Sequence, residues 1–120
     1  MARIARFRAQ DGPVGYGLLV DDGILQPIDG SPFAEWQVAG ETLPMAQVKL
    51  LAPVSPPNII AVGLNYHSHA AESGMPPPER PVLFLKATTA VCGPEDDIVL
   101  PNLAPSEVDY EGELAIVIGK

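Results

Sequence analysis

The sequence predicts a mainly β chain with short helices, an α+β arrangement in two parts. Three observations lead to this prediction. The first third of the chain combines short apolar stretches with an Asp-Gly turn, three prolines occur within the five residues 53–57, and the remainder holds continuous apolar runs separated by glycine and proline. We therefore expect a small β-rich domain over residues 1–54 and a second domain over residues 55–120.

The first domain is predicted to be an antiparallel sheet. Asp21-Asp22-Gly23 is a hairpin turn signal, because the Asp-Gly pair tolerates positive φ angles. Ser31-Pro32 offers an N-cap followed by proline at the first helical position, so we expect a short helix to begin over Phe33–Trp36. Short strands are expected around residues 4–7, 16–20, 24–26 and 48–51.

The second domain begins with the apolar run 58–63, closed by glycine, which is typical of a fully buried strand. Asn65 is expected to cap a short helix over residues 66–73, and Gly74 to end it. The proline-rich residues 75–81 predict a loop. Further strands are expected at residues 82–85, 98–101 and 114–118. Since the last of these has no later element to cover it, we expect the chain to be the front part of a longer protein.

The composition limits the classes of function. The net charge of −8 argues against binding nucleic acid through a broad basic surface, and no apolar stretch approaches the roughly 20 residues that span a bilayer. The first residues interrupt their apolar side chains with charge too often for a signal peptide. The single cysteine, Cys92, fits a reducing compartment and is predicted to be a small buried side chain. We therefore expect a cytoplasmic protein.

Two carboxylates precede the apolar run 114–118. Side chains alternate along a strand, so Glu111 and Glu113 would point the same way, roughly 7 Å apart at the backbone. Adjacent buried carboxylates repel each other and need protons, basic partners or a divalent cation. An all-oxygen site would select Mg²⁺, Mn²⁺ or Ca²⁺ over zinc. The alternative is a solvated edge strand whose acidic side faces water.

A histidine and a glutamate share a face of the predicted helix. His69 and Glu72 are three residues apart, so the carboxylate would orient the imidazole and increase its basicity, as a general base requires. The alternative is a surface pair without consequence. His67 lies off that face and is expected to be merely exposed. Lys86 closes the apolar run 82–85, where its ammonium would bind a substrate carboxylate or enolate, or would simply emerge into solvent.

Several separated motifs, in this order, resemble the fumarylacetoacetate hydrolase family. They cover about half of the chain, from Asn58 to Lys120, and the first fifty or so residues are similar to a small N-terminal extension of bacterial members. The motifs are Ile60-Ala61-Val62-Gly63-Leu64-Asn65-Tyr66, His69, Glu72, Phe84-Leu85-Lys86 and Val108-Asp109-Tyr110-Glu111-Gly112-Glu113-Leu114-Ala115.

The resemblance implies a mixed β-roll catalytic fold, usually a homodimer, that binds Mg²⁺ or Mn²⁺. By position, Glu111 and Glu113 match metal ligands, His69 and Glu72 match a catalytic dyad, and Lys86 matches a lysine near the active site. A third carboxylate ligand would lie beyond residue 120. The implied activity is hydrolysis or lysis of a carbon–carbon bond in a small 2-oxo or 1,3-dioxo acid. Alternatives are oxaloacetate decarboxylation, hydroxymuconate isomerisation, or a truncated binding module without catalysis.

Overall fold

The computed structural model describes residues 2–119, which form mostly strands with a few short helices. This confirms the predicted fold class. Contacts divide the chain into two units: one contains the residues up to Pro53 together with those from Cys92 onward, and the other is Val54–Val91. The predicted domain division at residues 54 and 55 stays a prediction. None of the helices described has the length and apolar character needed to cross a bilayer.

All the strands of the first unit belong to one six-stranded antiparallel sheet. Its strand order is β4-β3-β2-β1-β6, and β5 pairs with β3 beside this path. A 3-10 helix, Met45–Gln47, leads into β6. The strands are β1 (Ile4–Ala9), β2 (Val14–Leu19), β3 (Ile24–Gly30), β4 (Trp36–Val38), β5 (Leu43–Pro44) and β6 (Val48–Leu50).

Two glycines of β2 make room for the core of this sheet. Gly15 lies opposite Phe7 in the β1–β2 register, and a methyl group on Gly15 would touch the Phe7 ring at 3.7 Å. A methyl group on Gly17 would overlap the Leu25 side chain and lie 2.8 Å from its Cγ. Phe7 and Leu25 are 5% and 0% exposed. The alternating glycines therefore let the largest buried side chains cover β2 directly.

The turn between β2 and β3 forms as predicted. Asp21 Oδ1 accepts a hydrogen bond from the Gly23 N–H at 2.7 Å, and the Val20 N–H donates to the Ile24 carbonyl at 3.0 Å. The aspartate side chain thus satisfies a turn amide that the strand ladder leaves unpaired.

The predicted helix over Phe33–Trp36 is wrong. The Ala34 N–H donates to the Ser31 carbonyl at 2.9 Å, which closes a single turn, and the Ser31 N–H then donates to the Glu35 carbonyl at 3.2 Å. Trp36 begins β4 and pairs with Gly30. Pairing with β3 satisfies more backbone groups than a four-residue helix would, so the Ser-Pro signal marks a hairpin turn.

The second unit is a hairpin with a short helix. Strand β7 (Ile59–Gly63) pairs antiparallel with β8 (Val82–Lys86), helix α1 (His67–Glu72) lies between them in sequence, and a 3-10 helix, Thr88–Ala90, follows. Both strands and α1 were predicted. Gly74 ends the helix with φ +65°, as expected.

Two details of the predicted second unit are wrong. Tyr66, not Asn65, precedes the first helical residue, and no side chain caps the helix. Strand β7 is not fully buried: Ile60 is 65% exposed, because the described residues pack little over its face of the two-stranded sheet.

Residues 92–119 form turns and irregular chain. The strands predicted at residues 98–101 and 114–118 are absent from this part of the structure, and Leu114 and Ile118 are 79% and 86% exposed. Cys92 is exposed, which corrects the prediction that it is buried. An apolar run becomes a strand only when a neighbour accepts its backbone hydrogen bonds, and no described strand pairs with these segments.

Candidate functional site

Helix α1 carries both members of the predicted dyad on its exposed side. Ala70 is 1% exposed and anchors the helix, while His69 and Glu72 are exposed. The Ser73 hydroxyl donates to the His69 carbonyl at 2.9 Å, and the Met75 N–H donates to the Ala70 carbonyl at 3.1 Å. These bonds satisfy carbonyls at the end of the helix and fix the backbone of the dyad.

The two side chains of the dyad share a helix face without touching. His69 and Glu72 are three residues apart in α1, a spacing that makes them neighbours on the helix surface. Between residues 2 and 119, no hydrogen bond or ion pair joins the imidazole to the carboxylate. Side-chain rotation would close this pair, and catalytic hydrogen bonds are often long in unliganded enzymes.

Lys86 is the last residue of β8 and lies opposite Ile59 of β7. Its side chain is exposed, and Nζ lies 5.8 Å from the centre of the Phe84 ring. Lys86 and Phe84 are two residues apart on one face of the strand, so the ring holds the ammonium through a cation–π contact. The structure thus places this cation at the end of the hairpin.

Glu111 and Glu113 lie in the irregular chain of the first unit, and both are exposed. Because the segment is not a strand, the alternation that would point both carboxylates the same way does not apply. Among the residues described, no group of three or more His, Cys, Asp or Glu side chains is arranged to hold a metal ion. Two carboxylates retain the oxygen chemistry that Mg²⁺, Mn²⁺ and Ca²⁺ prefer.

A cleft of about 220 Å³ lies in the second unit, between the end of β7 and the proline-rich segment. His67 lines it, whereas His69 and Glu72 do not. Leu64, also in its wall, has φ +51°, a left-handed conformation that is strained for a residue with a branched side chain. The remaining lining residues are Val62, Gly63, Asn65, Pro77, Pro78, Glu79 and Pro81.

The sequence predicted only that His67 is exposed, and not that it lines this cleft. Residues two apart on a helix point about 200° away from each other, so the imidazole of His67 faces away from the dyad. The spacing of His67 and His69 is evident in the sequence. The cleft itself forms because residues 77–81 fold back towards the end of β7, and no local sequence pattern predicts this.

Two family models match the chain. Residues 2–53 match the model described as Rv2993c-like, N-terminal, and residues 58–120 match the model described as fumarylacetoacetate (FAA) hydrolase C-terminal. Together the two matches account for nearly all of the sequence.

The chain is similar to proteins of bacteria and of animals. Protein Rv2993c of Mycobacterium tuberculosis is 49% identical over 89 residues, covering 74% of this chain and 33% of the relative. The mitochondrial oxaloacetate tautomerase FAHD2A of Bos taurus is 47% identical over 79 residues, covering 65% of this chain and 25% of the relative. The chain therefore spans between about a quarter and a third of these relatives.

A solved structure shares the fold. The crystal structure of 5-carboxymethyl-2-hydroxymuconate delta-isomerase from Mycobacterium smegmatis superposes with a TM-score of 0.61 at 37% sequence identity, covering 77% of this chain and 35% of the isomerase chain. The arrangement of strands and helix described above is therefore also found in an isomerase.

Proposed function

Because the chain belongs to the fumarylacetoacetate hydrolase family, we propose that this protein is an enzyme that acts on small 2-oxo or 1,3-dioxo acids through an enolate. The single observation that carries the proposal is the His69–Glu72 pair, placed on the exposed face of α1 in a chain whose relatives include an oxaloacetate tautomerase. The keto–enol interconversion of such an acid requires a base beside a carbon next to the carbonyl group.

His69 is the proposed base. Its neutral imidazole takes a proton from the carbon next to the 2-oxo group, which leaves an enolate, and the imidazolium then returns the proton to oxygen or to carbon. Glu72 is three residues away on the same face, so its carboxylate orients the ring and stabilises the imidazolium while it holds the proton.

Lys86 is proposed to bind the acid. The Phe84 ring holds its ammonium at the end of β8, and an ammonium is a suitable partner for the carboxylate of a 2-oxo acid or for its enolate oxygen. The attraction orients the substrate. It also stabilises the negatively charged enolate more than the neutral enol.

Glu111 and Glu113 are proposed to hold a divalent cation, Mg²⁺ or Mn²⁺, with Ca²⁺ as a further possibility. Their carboxylate oxygens fit hard ions, and waters or further ligands complete the coordination, since the described residues supply no third neighbouring ligand. Glu111 and Glu113 would hold such an ion, which would supply Lewis-acid stabilisation of negative charge on oxygen.

Three reaction types remain candidates, and each passes through an enolate of a 2-oxo acid. Isomerisation or tautomerisation is favoured by the names of the bovine relative and of the M. smegmatis structure. Cleavage of a carbon–carbon bond by a hydrolase or lyase is favoured by the family model itself, which is described as a fumarylacetoacetate hydrolase. Decarboxylation of oxaloacetate is the third candidate: the keto acid loses carbon dioxide, which leaves the enolate of pyruvate, and this enolate is then protonated on carbon. We also propose that the protein is cytoplasmic and forms a homodimer.

The test compares two residues of one helix. We expect His69→Ala to lower turnover of oxaloacetate or of an acylpyruvate by about 100-fold or more, the contribution typical of a general base. Ser68→Ala is the control, since it changes an exposed neighbour on the same helix that does not line the cleft, and it should change turnover less than about twofold. Equal turnover in His69→Ala and the unaltered protein would contradict the dyad and leave the binding-module alternative.

The products separate the three reaction types. Proton exchange between solvent and the carbon next to the carbonyl group, without loss of the acid, indicates tautomerisation. Release of a second acid indicates carbon–carbon hydrolysis, and release of carbon dioxide indicates decarboxylation. NMR spectroscopy measures each product directly, and it therefore distinguishes reactions that consume the substrate at the same rate.

A further inference from the structure

An ion pair joins the C-terminal segment, defined as residues 92–119, to the last strand of the sheet. Lys49 Nζ lies 2.7 Å from Asp96 Oδ1, across 47 positions of sequence. The second oxygen, Oδ2 of Asp96, accepts a hydrogen bond from the Gly93 N–H at 2.8 Å. One carboxylate thus closes a turn in the segment and binds strand β6 at the same time. We call this arrangement of Lys49, Asp96 and Gly93 the clasp.

At the clasp, the segment lies close to the backbone that follows β6. A methyl group built on Gly93 would lie 3.2 Å from the backbone nitrogen of Ala52 and 3.2 Å from Cα of Leu51. Such a methyl group would be closer than ordinary van der Waals contact, so the position suits glycine. The Lys49 ammonium and the Gly93 N–H also hold the pKa of Asp96 below its usual value. The carboxylate is therefore charged at neutral pH.

The far end of the C-terminal segment makes a second contact. A methyl group on Gly119 would lie 3.8 Å from Cδ1 of Phe33, so this glycine lies against the ring. Phe33 in turn packs edge to face against Tyr16 of β2, with 6.4 Å between the ring centres. Glu111 and Glu113 thus lie between the clasp and this second contact.

We propose that Lys49 and Asp96 are positioning residues for the cation site: the clasp holds the C-terminal segment to β6 and thereby restricts the conformations available to Glu111 and Glu113. This inference rests on the proposed function, because it requires that the two glutamates bind a cation.

The physical reason is the cost of ordering. Two carboxylates that bind one ion repel each other. Binding also costs conformational entropy, and this loss is larger for a segment without the clasp, because that segment samples more conformations beforehand. Fixing the segment before binding removes part of this cost, which is the general effect of preorganisation. The clasp therefore acts on affinity for the ion without touching it.

The test measures Mn²⁺ binding to the chain by the loss of the free-ion EPR signal, which requires no turnover. We expect Lys49→Met to raise the dissociation constant by about two- to fivefold, the range that exposed ion pairs supply. Simple electrostatics predicts the opposite sign, because removing a cation makes the chain more negative. Lys49→Arg, which keeps the charge, should restore binding.

Arg3→Met is the matched control. It also removes one cation and one surface ion pair, between Arg3 Nη1 and Asp22 Oδ1 at 3.3 Å, but this pair does not involve the C-terminal segment. We expect it to leave Mn²⁺ binding unchanged or slightly tighter. If Lys49→Met and Arg3→Met bind Mn²⁺ equally while Glu113→Gln loses binding, the clasp proposal is overturned and the cation site stands. If Glu113→Gln binds as well as the unaltered chain, both are overturned.

Discussion

The N-terminal sheet and the β7–β8 hairpin differ in where their apolar side chains lie. In the sheet, Phe7, Leu25 and Ile28 are all buried, whereas in the hairpin Leu83 and Leu85 are 63% and 74% exposed. The sheet therefore gains stability from burial within its own unit, and the hairpin gains little. The candidate dyad and Lys86 belong to the second unit. In this protein, the N-terminal sheet is stabilised by its own buried side chains, whereas the candidate catalytic groups lie in the other unit.

The largest change in the free energy of unfolding is expected when the most deeply buried side chain is removed. Leu25 is completely buried, so we expect Leu25→Ala to lower the free energy of unfolding by about 2–5 kcal/mol, through lost transfer energy and the cavity left behind. Leu85→Ala, the same change in the exposed hairpin, should cost less than about 0.5 kcal/mol. Urea unfolding followed by circular dichroism measures both, and equal losses would contradict the comparison.

Overpacking the same core should have the next largest effect. A methyl group on Gly17 would overlap Leu25 and lie 2.9 Å from the Gln26 carbonyl oxygen. We expect Gly17→Ala to cost about 1–3 kcal/mol, since the backbone oxygen cannot move far. Gly112→Ala is the control, because no atom lies within 4 Å of the added methyl group. Thermal unfolding of both variants decides whether β2 needs its glycines.

In the second unit, the end of α1 offers a smaller effect. Gly74 has φ +65° with open space around it, so Gly74→Ala introduces backbone strain alone, about 1 kcal/mol. Gly74→Asn should cost less, because asparagine tolerates the left-handed region. Hydrogen exchange of the Ser73 and Gly74 amides measures the loss locally. Identical exchange in all three proteins would show that the helix end does not depend on this glycine.

The smallest expected effect is a pH dependence of the clasp. The pKa of Asp96 is lowered in the folded chain by the Lys49 ammonium and the Gly93 N–H. A carboxyl group whose folded pKa lies below its unfolded value adds stability above the unfolded value, and this stability is lost as the pH falls through the folded pKa. NMR titration of the Asp96 carboxyl group should therefore show a midpoint below 3.8, the ordinary value. Lys49→Met should move it upward.

Local signals in the sequence predicted the local structure. The Asp21-Asp22-Gly23 turn, helix α1 and strands β7 and β8 each depend on residues within one short window, and all are present. The helix expected over Phe33–Trp36 failed because Gly30 and Trp36 pair across a hairpin. A choice between turn and helix there is settled by a neighbouring strand, which the Ser-Pro signal does not encode.

The candidate site divides in the same way. His69 and Glu72 share a face because helix geometry alone decides it, whereas the orientation of Glu111 and Glu113 requires a partner strand that the described residues do not supply. The assignment of these residues to catalysis and to metal binding stays a prediction. The Lys49–Asp96 contact joins residues 47 positions apart, and no spacing rule connects them.

The close approach of Gly93 to Leu51 and Ala52 also defines the path of the chain. The polypeptide leaves the first unit after Pro53 and returns at Cys92, so its points of departure and return are almost adjacent. Residues 54–91 thus have the topology of an insertion, and a linker of a few residues would bridge the gap. A short linker in place of residues 54–91 would therefore keep the chain path of the first unit, so the stability of the sheet can be measured without the inserted unit.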